Sequence, residues 1–259
     1  MAIITISRQI GSLGDEIARE IADKLGYERI EKAQIGAVLA EHGFSSADLD
    51  KYDEKNPSLL QHLSIRKKIF DHLIRAAVYE FAARENVVIV GRGAQVILKD
   101  IPGTLHLRVI APYATRVKRL MEQKENDENI AQADIRKSDR NSSGYIHAYF
   151  NADWADSELY DLVLNTRNLT LNNCVEMIKC TICSAEFSRS LQVTEKLFDL
   201  ALTEKAKAVM REVDGLEKPE LVVQNRIAYL TDQGMALEVK EACEKAISNI
   251  KGIKEIGQQ

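Results

Sequence analysis

The sequence predicts an α/β protein, a parallel sheet with helices on both faces, followed by a small C-terminal α/β domain. Three observations carry this. Apolar runs at Ile3–Ile6, Val87–Val90 and Leu105–Ile110 alternate with stretches whose apolar residues recur every three or four positions. That order is what parallel strands joined by right-handed helical crossovers require. Val87-Val88-Ile89-Val90 has no polar alternation, the mark of a strand covered on both faces. The last third then shows a helix, two short strands, a second helix and a final strand. The chain divides accordingly into residues 1–190 and 195–259.

In order, Ile3-Ile4-Thr5-Ile6-Ser7 reads as a buried strand. Ile17, Ile21 and Leu25, with Ala18 and Ala22, form one helical face, and Gly26 stands where a C-terminal cap takes glycine. Between strand and helix lies Arg8-Gln9-Ile10-Gly11-Ser12-Leu13-Gly14. A small-residue loop entering a helix N-terminus converges backbone N–H groups on an anion. An ordinary βα turn fits the same pattern. The loop departs from G-x-x-x-x-G-K-[ST], with Arg8 at the first glycine, Leu13 at the second, Gly14 at the lysine and Asp15 at the hydroxyl residue.

Tyr27–Glu31 reads as a short strand, Lys32–Glu41 as a helix, Ser45–Ser58 as a loop or flap and Leu60–Glu85 as a long helix. Arg66, Lys67, Lys68 and Arg75 read as that helix's solvated face. Val87–Val90 runs into Gly91-Arg92-Gly93. An arginine between glycines at the C-terminal end of a central strand suits a phosphate, because open sheets bind ligands there and guanidinium is bidentate. After the strand Leu105–Ile110, Pro112 opens a helix with Arg116 and Arg119. Ile130–Arg140 reads as a further helix carrying Arg136, Lys137 and Arg140, either a basic lid or an exposed face, and Asn141–Gly144 as a loop. Tyr149, Phe150 and Trp154 cluster before the last strand, Tyr160–Thr166, and Leu171–Phe187 closes the first domain. In the second, Val193–Val213 is a helix, with Asp214-Gly215 and Pro219 after it. Two short strands flank Asn225-Arg226, Leu237–Ile250 is a helix with Val239, Ala242, Cys243, Ala246, Ile247 and Ile250 inward, and Lys251–Ile256 is a strand.

The composition is globular: 259 residues, 45% hydrophobic and 29% charged. A net charge of -4 gives no reason to expect a nucleic-acid binder. No apolar run approaches the roughly 18 residues of a membrane span, and no secretory signal is visible. With Cys174, Cys180, Cys183 and Cys243 as its cysteines, the chain fits a reduced cytoplasmic setting. Cys180-x-x-Cys183 reads as core packing.

Ile6-Ser7-Arg8-Gln9-Ile10-Gly11-Ser12, Val90-Gly91-Arg92, Arg136 to Arg140, and Tyr149-Phe150 to Trp154 to Tyr160-Asp161-Leu162-Val163-Leu164-Asn165-Thr166 together resemble a divergent branch of the cytidylate kinase-like family. The resemblance covers about residues 1–187 and implies a P-loop kinase-like sheet acting on a CMP-like nucleotide with ATP and Mg²⁺. It implies that Ser7, Arg8, Gly11, Ser12, Gly14 and Asp15 hold nucleotide phosphates. It places Arg92, with Gly91, on the acceptor monophosphate, and Arg136 and Arg140 on the transferred phosphoryl group, where Arg8 stands in for the loop lysine. The aspartate of the family's Gly-Arg-Asp is Gly93 here. No metal-ligating residue is assigned. Two readings stay open: a nucleoside monophosphate kinase, or a nucleotide-sensing protein of weak or no turnover. Over about residues 195–259, Val223-Gln224-Asn225 and Ile250–Ile256 resemble the BON domain, a small α/β module; an interaction or regulatory domain for a protein partner or dimer is the other reading.

Overall fold

The computed structural model describes residues 2–45, 47–48, 65–125, 127–187, 190–213, 216, 220–231 and 235–257. Most of the Ser45–Ser58 flap, the start of the helix expected from Leu60, and the Asp214-Gly215 and Pro219 punctuation lie outside these residues. The chain forms two compact units, residues 1–34, 46–56 and 85–189, and residues 35–45, 57–84 and 190–259.

The first unit is built on a parallel sheet of five strands: β1 (Ile3–Arg8), β2 (Glu28–Ile30), β3 (Val87–Val90), β4 (Thr104–Ile110) and β5 (Leu162–Asn165). The order is β2-β3-β1-β4-β5, with Ile3 opposite both Val87 and Thr104. Because strand side chains alternate, Ile4, Ile6, Val88, Val90, Leu105, Leu107 and Val109 share one face. It is closed by Ile17, Ala18, Ile21 and Ala22 of α1 (Gly14–Leu25) and Cys174, Val175, Ile178 and Ile182 of α7 (Leu171–Ile182). Gly26 ends α1 in the left-handed conformation, returning its N–H to the helix carbonyls. On the opposite face, Thr5, Ser7, His106 and Arg108 form a buried polar column.

Between β3 and β5 lie α4 (Ala94–Ile97), α5 (Tyr113–Lys124) and α6 (Glu128–Phe150). Val117 and Leu120 of α5 pack on Ala131 and Ile135 of α6. The loop expected at Asn141–Gly144 is instead helix. Asp127 caps α6 by accepting from the Ile130 N–H, and Ile135 and Ile146 are buried along the same stretch. Poor helix formers between two buried anchors follow the anchors. Cys180 and Cys183 are exposed rather than core, because α7 buries its 174, 175, 178 and 182 positions.

The second unit contains most of α2 (Lys32–Glu41), α3 (Ile65–Ala83), α8 (Leu191–Met210), β6 (Leu221–Gln224), β7 (Ile227–Leu230), α9 (Leu237–Ser248) and β8 (Glu255–Gly257). A cut near residue 190 leaves residues 35–45 and 65–84 with the first unit, but they group with the second. α3 packs along α8, with His72 Nδ1 2.7 Å from Glu204 and Lys205 Nζ donating to Glu80 at 2.5 Å. Lys67 is buried, not solvated, and burial pushes its ammonium pKa down. β6 and β7 form the expected hairpin. Its turn residues Asn225 (φ 53°) and Arg226 (φ 67°) are left-handed, and their N–H groups donate to the Asp199 carboxylate. β8 lies parallel to β7, and the expected Lys251–Ile256 strand forms only from Glu255. Cys243 and Ile247 of α9 are buried, whereas Ala242 is exposed, one step off that face.

Candidate functional site

β1 delivers its loop to the C-terminal edge of the sheet. The Gln9 N–H donates to Val109 O at 3.0 Å, and Gln9 Oε1 accepts from the Ala111 N–H at 3.2 Å, so the loop is fixed to the end of β4. Ser12 is fully buried. Its hydroxyl donates to Gln9 O at 2.6 Å, closing the turn. Gly11 is left-handed (φ +75°), and a β-carbon there would lie 3.0 Å from Arg116 O. Only glycine fits both constraints. Arg119 then braces the loop: Nη1 donates to Gly11 O (3.2 Å) and Thr166 Oγ1 (2.8 Å), and Nη2 to Thr166 O (2.7 Å). Thr166 Oγ1 donates to Ser12 O at 2.8 Å. At the start of α1, no described backbone carbonyl takes the N–H groups of Gly14, Asp15 or Glu16. That leaves the donors and the dipole end that an anion uses.

Arg8 crosses this helix start. Its Nε donates to Asp15 Oδ1 at 2.8 Å. Its aliphatic stem covers Gly14, where a β-carbon would overlap Arg8 Cβ and lie 2.7 Å from Cγ. Its Nη1 is 3.2 Å from the place of a β-carbon on Gly91. The side chain therefore spans from the helix start to the turn after β3, beside Arg92. Gly91, Arg92 and Gly93 are left-handed in succession (φ 75°, 60°, 68°). For arginine this conformation costs roughly 1–2 kcal/mol, the kind of strain that sets a functional turn. A β-carbon on Gly93 would lie 2.5 Å from Phe150 Cζ, so the ring occupies the space an aspartate side chain would need. Phe150 packs edge-on to Tyr145 at 5.9 Å.

Arg136 and Arg140 are on exposed positions of α6. Arg136 Nη1 donates to Tyr113 Oη at 3.3 Å and to Gln132 Oε1 at 3.4 Å. Between them, Asp139 takes Arg116 Nη1 at 2.9 Å and Nη2 at 2.7 Å, fastening α6 to α5. The structure thus gathers Arg8, Gly11, Ser12, Gly14, Asp15 and Gly91, with Arg92 next to Gly91. No described contact joins Arg136 or Arg140 to that group.

Ser7 belongs to a different set. Its Oγ accepts from Trp154 Nε1 at 2.7 Å and from Tyr160 Oη at 3.4 Å. Arg108 lies over the Trp154 ring (4.5 Å) and the Tyr160 ring (5.4 Å), contacts worth about 2 kcal/mol when desolvated. Its Nη1 donates to Tyr160 Oη at 3.3 Å. Beneath it, His106 Nδ1 is 2.8 Å from Thr5 Oγ1, and burial pushes the His106 pKa down against the pull of Asp161. The pattern Leu105-His106-Leu107-Arg108 looks like a half-solvated strand, which hides this column from sequence reading. Arg119 and Thr166 likewise leave no local signal. Among the described residues, no group of three or more His, Cys, Asp or Glu is placed to hold a metal ion.

A model of the cytidylate kinase-like family matches residues 3–168. The cytidylate kinase of Pyrobaculum islandicum is 27% identical over 194 residues, 73% of this chain and 98% of that protein. The cytidylate kinase of Methanosarcina acetivorans is 25% identical over 183 residues, covering 69% and 95%. The crystal structure of an uncharacterized protein from Eubacterium ventriosum superposes with a TM-score of 0.52 at 26% identity, covering 71% of this chain and 99% of that one.

Proposed function

This chain belongs to the cytidylate kinase-like family, and from that premise we propose that it transfers a phosphoryl group from ATP to a CMP-like nucleotide. The observation that carries this is Arg8, a cation spanning the start of α1 and the Gly91 turn. Phosphoryl transfer asks the protein for positioning and positive charge and for little covalent chemistry. The N–H groups of Gly14, Asp15 and Glu16, together with Arg8, fit the phosphates of ATP. Asp15, bonded to Arg8, is the loop carboxylate that would face Mg²⁺, which would supply charge neutralisation for the phosphates. Gly91 and Arg92 hold the acceptor's phosphate, and the exposed Arg136 and Arg140 supply charge to the transferred group. Gly11 and Ser12 shape the loop, and Ser7 supports it from beneath.

A second reading is a nucleotide sensor of weak or no turnover. The absence of a lysine at Gly14 and the pairing of Arg8 with Asp15 favour it. The C-terminal order of helix, hairpin, helix and strand supports a BON-like module that engages a protein partner or a second copy. No described helix is long and apolar enough to cross a membrane. A thermal-shift panel of ATP, CMP and other nucleoside monophosphates with and without Mg²⁺ reads binding, and a coupled assay reads turnover. Turnover with a pyrimidine monophosphate supports the kinase. Binding without turnover leaves the sensor, and no binding refutes both.

A further inference from the structure

Arg108 is a buried guanidinium at 6% exposure. Among the described residues no carboxylate pairs with it. The Asp161 carboxylate accepts the His106 N–H at 2.7 Å. His106 adds no charge to the column near neutrality, because burial holds its pKa below the usual value. Of the Arg108 donors, Nη1 reaches Tyr160 Oη. Nε and Nη2 have no partner among the described residues, yet they are not among the sealed, unsatisfied buried atoms. They therefore keep a path to solvent. A charge withdrawn from water without a counter-charge is unfavourable unless something else completes it.

Its surroundings fix the guanidinium in place. Trp154 and Tyr160 wall its faces, Gln95 Nε2 lies 3.5 Å from Tyr160 Oη, and the Trp154 indole is itself pinned on Ser7. Arg108 stands opposite Ser7 in the β1–β4 register, one residue before Arg8 and the loop. This is the carboxyl end of the central strands, where open parallel sheets take ligands. A planar, pre-positioned fork with spare donors matches two oxygens of one anion.

We propose that Arg108, held between Trp154 and Tyr160, binds an oxyanion of the phosphoryl acceptor, a phosphate or a carboxylate. The assignment to an acceptor rests on the kinase reading above; the anion site does not. Arg108 adds a second cation to the acceptor side, distinct from Arg92. It also gives the Trp154–Ser7 bond a purpose beyond packing, since it holds one wall of the site.

The test is calorimetric titration of the full chain and its Arg108→Met and Arg108→Lys variants with inorganic phosphate, CMP and malonate, and separately with a non-hydrolysable MgATP analogue. The wild type is expected to bind phosphate and CMP, or malonate, which separates the phosphate source from the carboxylate source. R108M is expected to weaken that binding about tenfold or more, and R108K about fivefold, because a single ammonium lacks the fork. MgATP affinity is expected to stay within about twofold in both. Should R108M fail to fold, R108K carries the comparison. Anion affinity unchanged in the variants, or no binding of any anion probe by the wild type at millimolar concentration, overturns the proposal. Anion binding lost with Arg108 in a protein that never binds the MgATP analogue leaves the site standing and removes the kinase reading.

Discussion

Arg8 and Gly14 occupy one space, so their substitutions are expected to be coupled. Gly14 is the first residue of α1 and is not left-handed, so Gly14→Ala carries no backbone penalty of its own. Helix propensity alone makes Gly→Ala favourable by up to about 1 kcal/mol. The new methyl, however, overlaps Arg8 Cβ and stands 2.7 Å from Cγ. Overpacking costs typically about 1–3 kcal/mol, and displacing Arg8 also releases its bond to Asp15, worth at most about 1 kcal/mol at this exposure. The expected net is a destabilisation of about 1–2 kcal/mol. Arg8→Gly removes both overlapping carbons, so in the Arg8→Gly background Gly14→Ala is expected to be neutral or stabilising. Urea unfolding of the four proteins, followed by the fluorescence of Trp154, reads this cycle. Trp154 is the sole tryptophan and reports the first unit. A coupling energy below about 0.5 kcal/mol refutes the shared-space argument. The same overlap predicts that Gly14→Lys, which writes the loop lysine back in, lowers any turnover by about 10²–10³ instead of raising it, because it evicts the cation already there. Restored turnover in Arg8→Gly/Gly14→Lys completes the test.

Three further outcomes follow from the geometry. Asp139→Asn removes the charged partner of Arg116, whose side chain is 5% exposed, and is expected to cost about 1–3 kcal/mol in Trp154-monitored urea unfolding. A folded-state pKa for His106 below 6.5, set by burial against the pull of Asp161, means that the unfolded chain takes up the proton first on acidification. Its stabilising contribution is therefore present above about pH 6.5 and lost as pH falls toward the folded value; the same fluorescence assay at about pH 7.5 and about pH 5.5 should show the loss, and His106→Gln should flatten it. Asp199→Ala leaves the N–H groups of Asn225 and Arg226 without their acceptor and is expected to lower the second unit's stability by about 1–2 kcal/mol, read by circular dichroism.

The strands of the first unit were legible because Ile3–Ile6 is a β-branched run and Val87–Val90 an unbroken apolar one, patterns that suit buried strands. Gly26 was legible as a cap and Asn225-Arg226 as a turn because each sits at an abrupt end of periodicity. What stayed hidden depends on partners distant in sequence. Asn141–Gly144 looks like a loop until Ile135 and Ile146 are both buried. Residues 65–83 look like part of the first domain until α8, more than a hundred residues later, covers them. At the candidate site, Arg8, Gly11 and Gly91 could be picked from the chain because short loops at strand ends announce themselves. The bracing of that loop by Arg119 and Thr166, and the cation on β4, required three-dimensional neighbours. Ser7 at the end of β1 and Ser12 in the loop carry hydroxyls that suit a phosphate; the sequence does not show that Ser7 Oγ accepts from Trp154 and that Ser12 donates to Gln9 O.

The ring of Phe150 against Gly93 bears on how this protein can change. Position 93 admits no side chain while Phe150 stands there, so a single step to aspartate there meets the ring before it meets any substrate. Clearing the ring first empties a slot beside Tyr145 with nothing to fill it. Substitutions at 93 and 150 are therefore expected to be coupled. The present pair behaves as a ratchet, holding this branch to whatever it now accommodates.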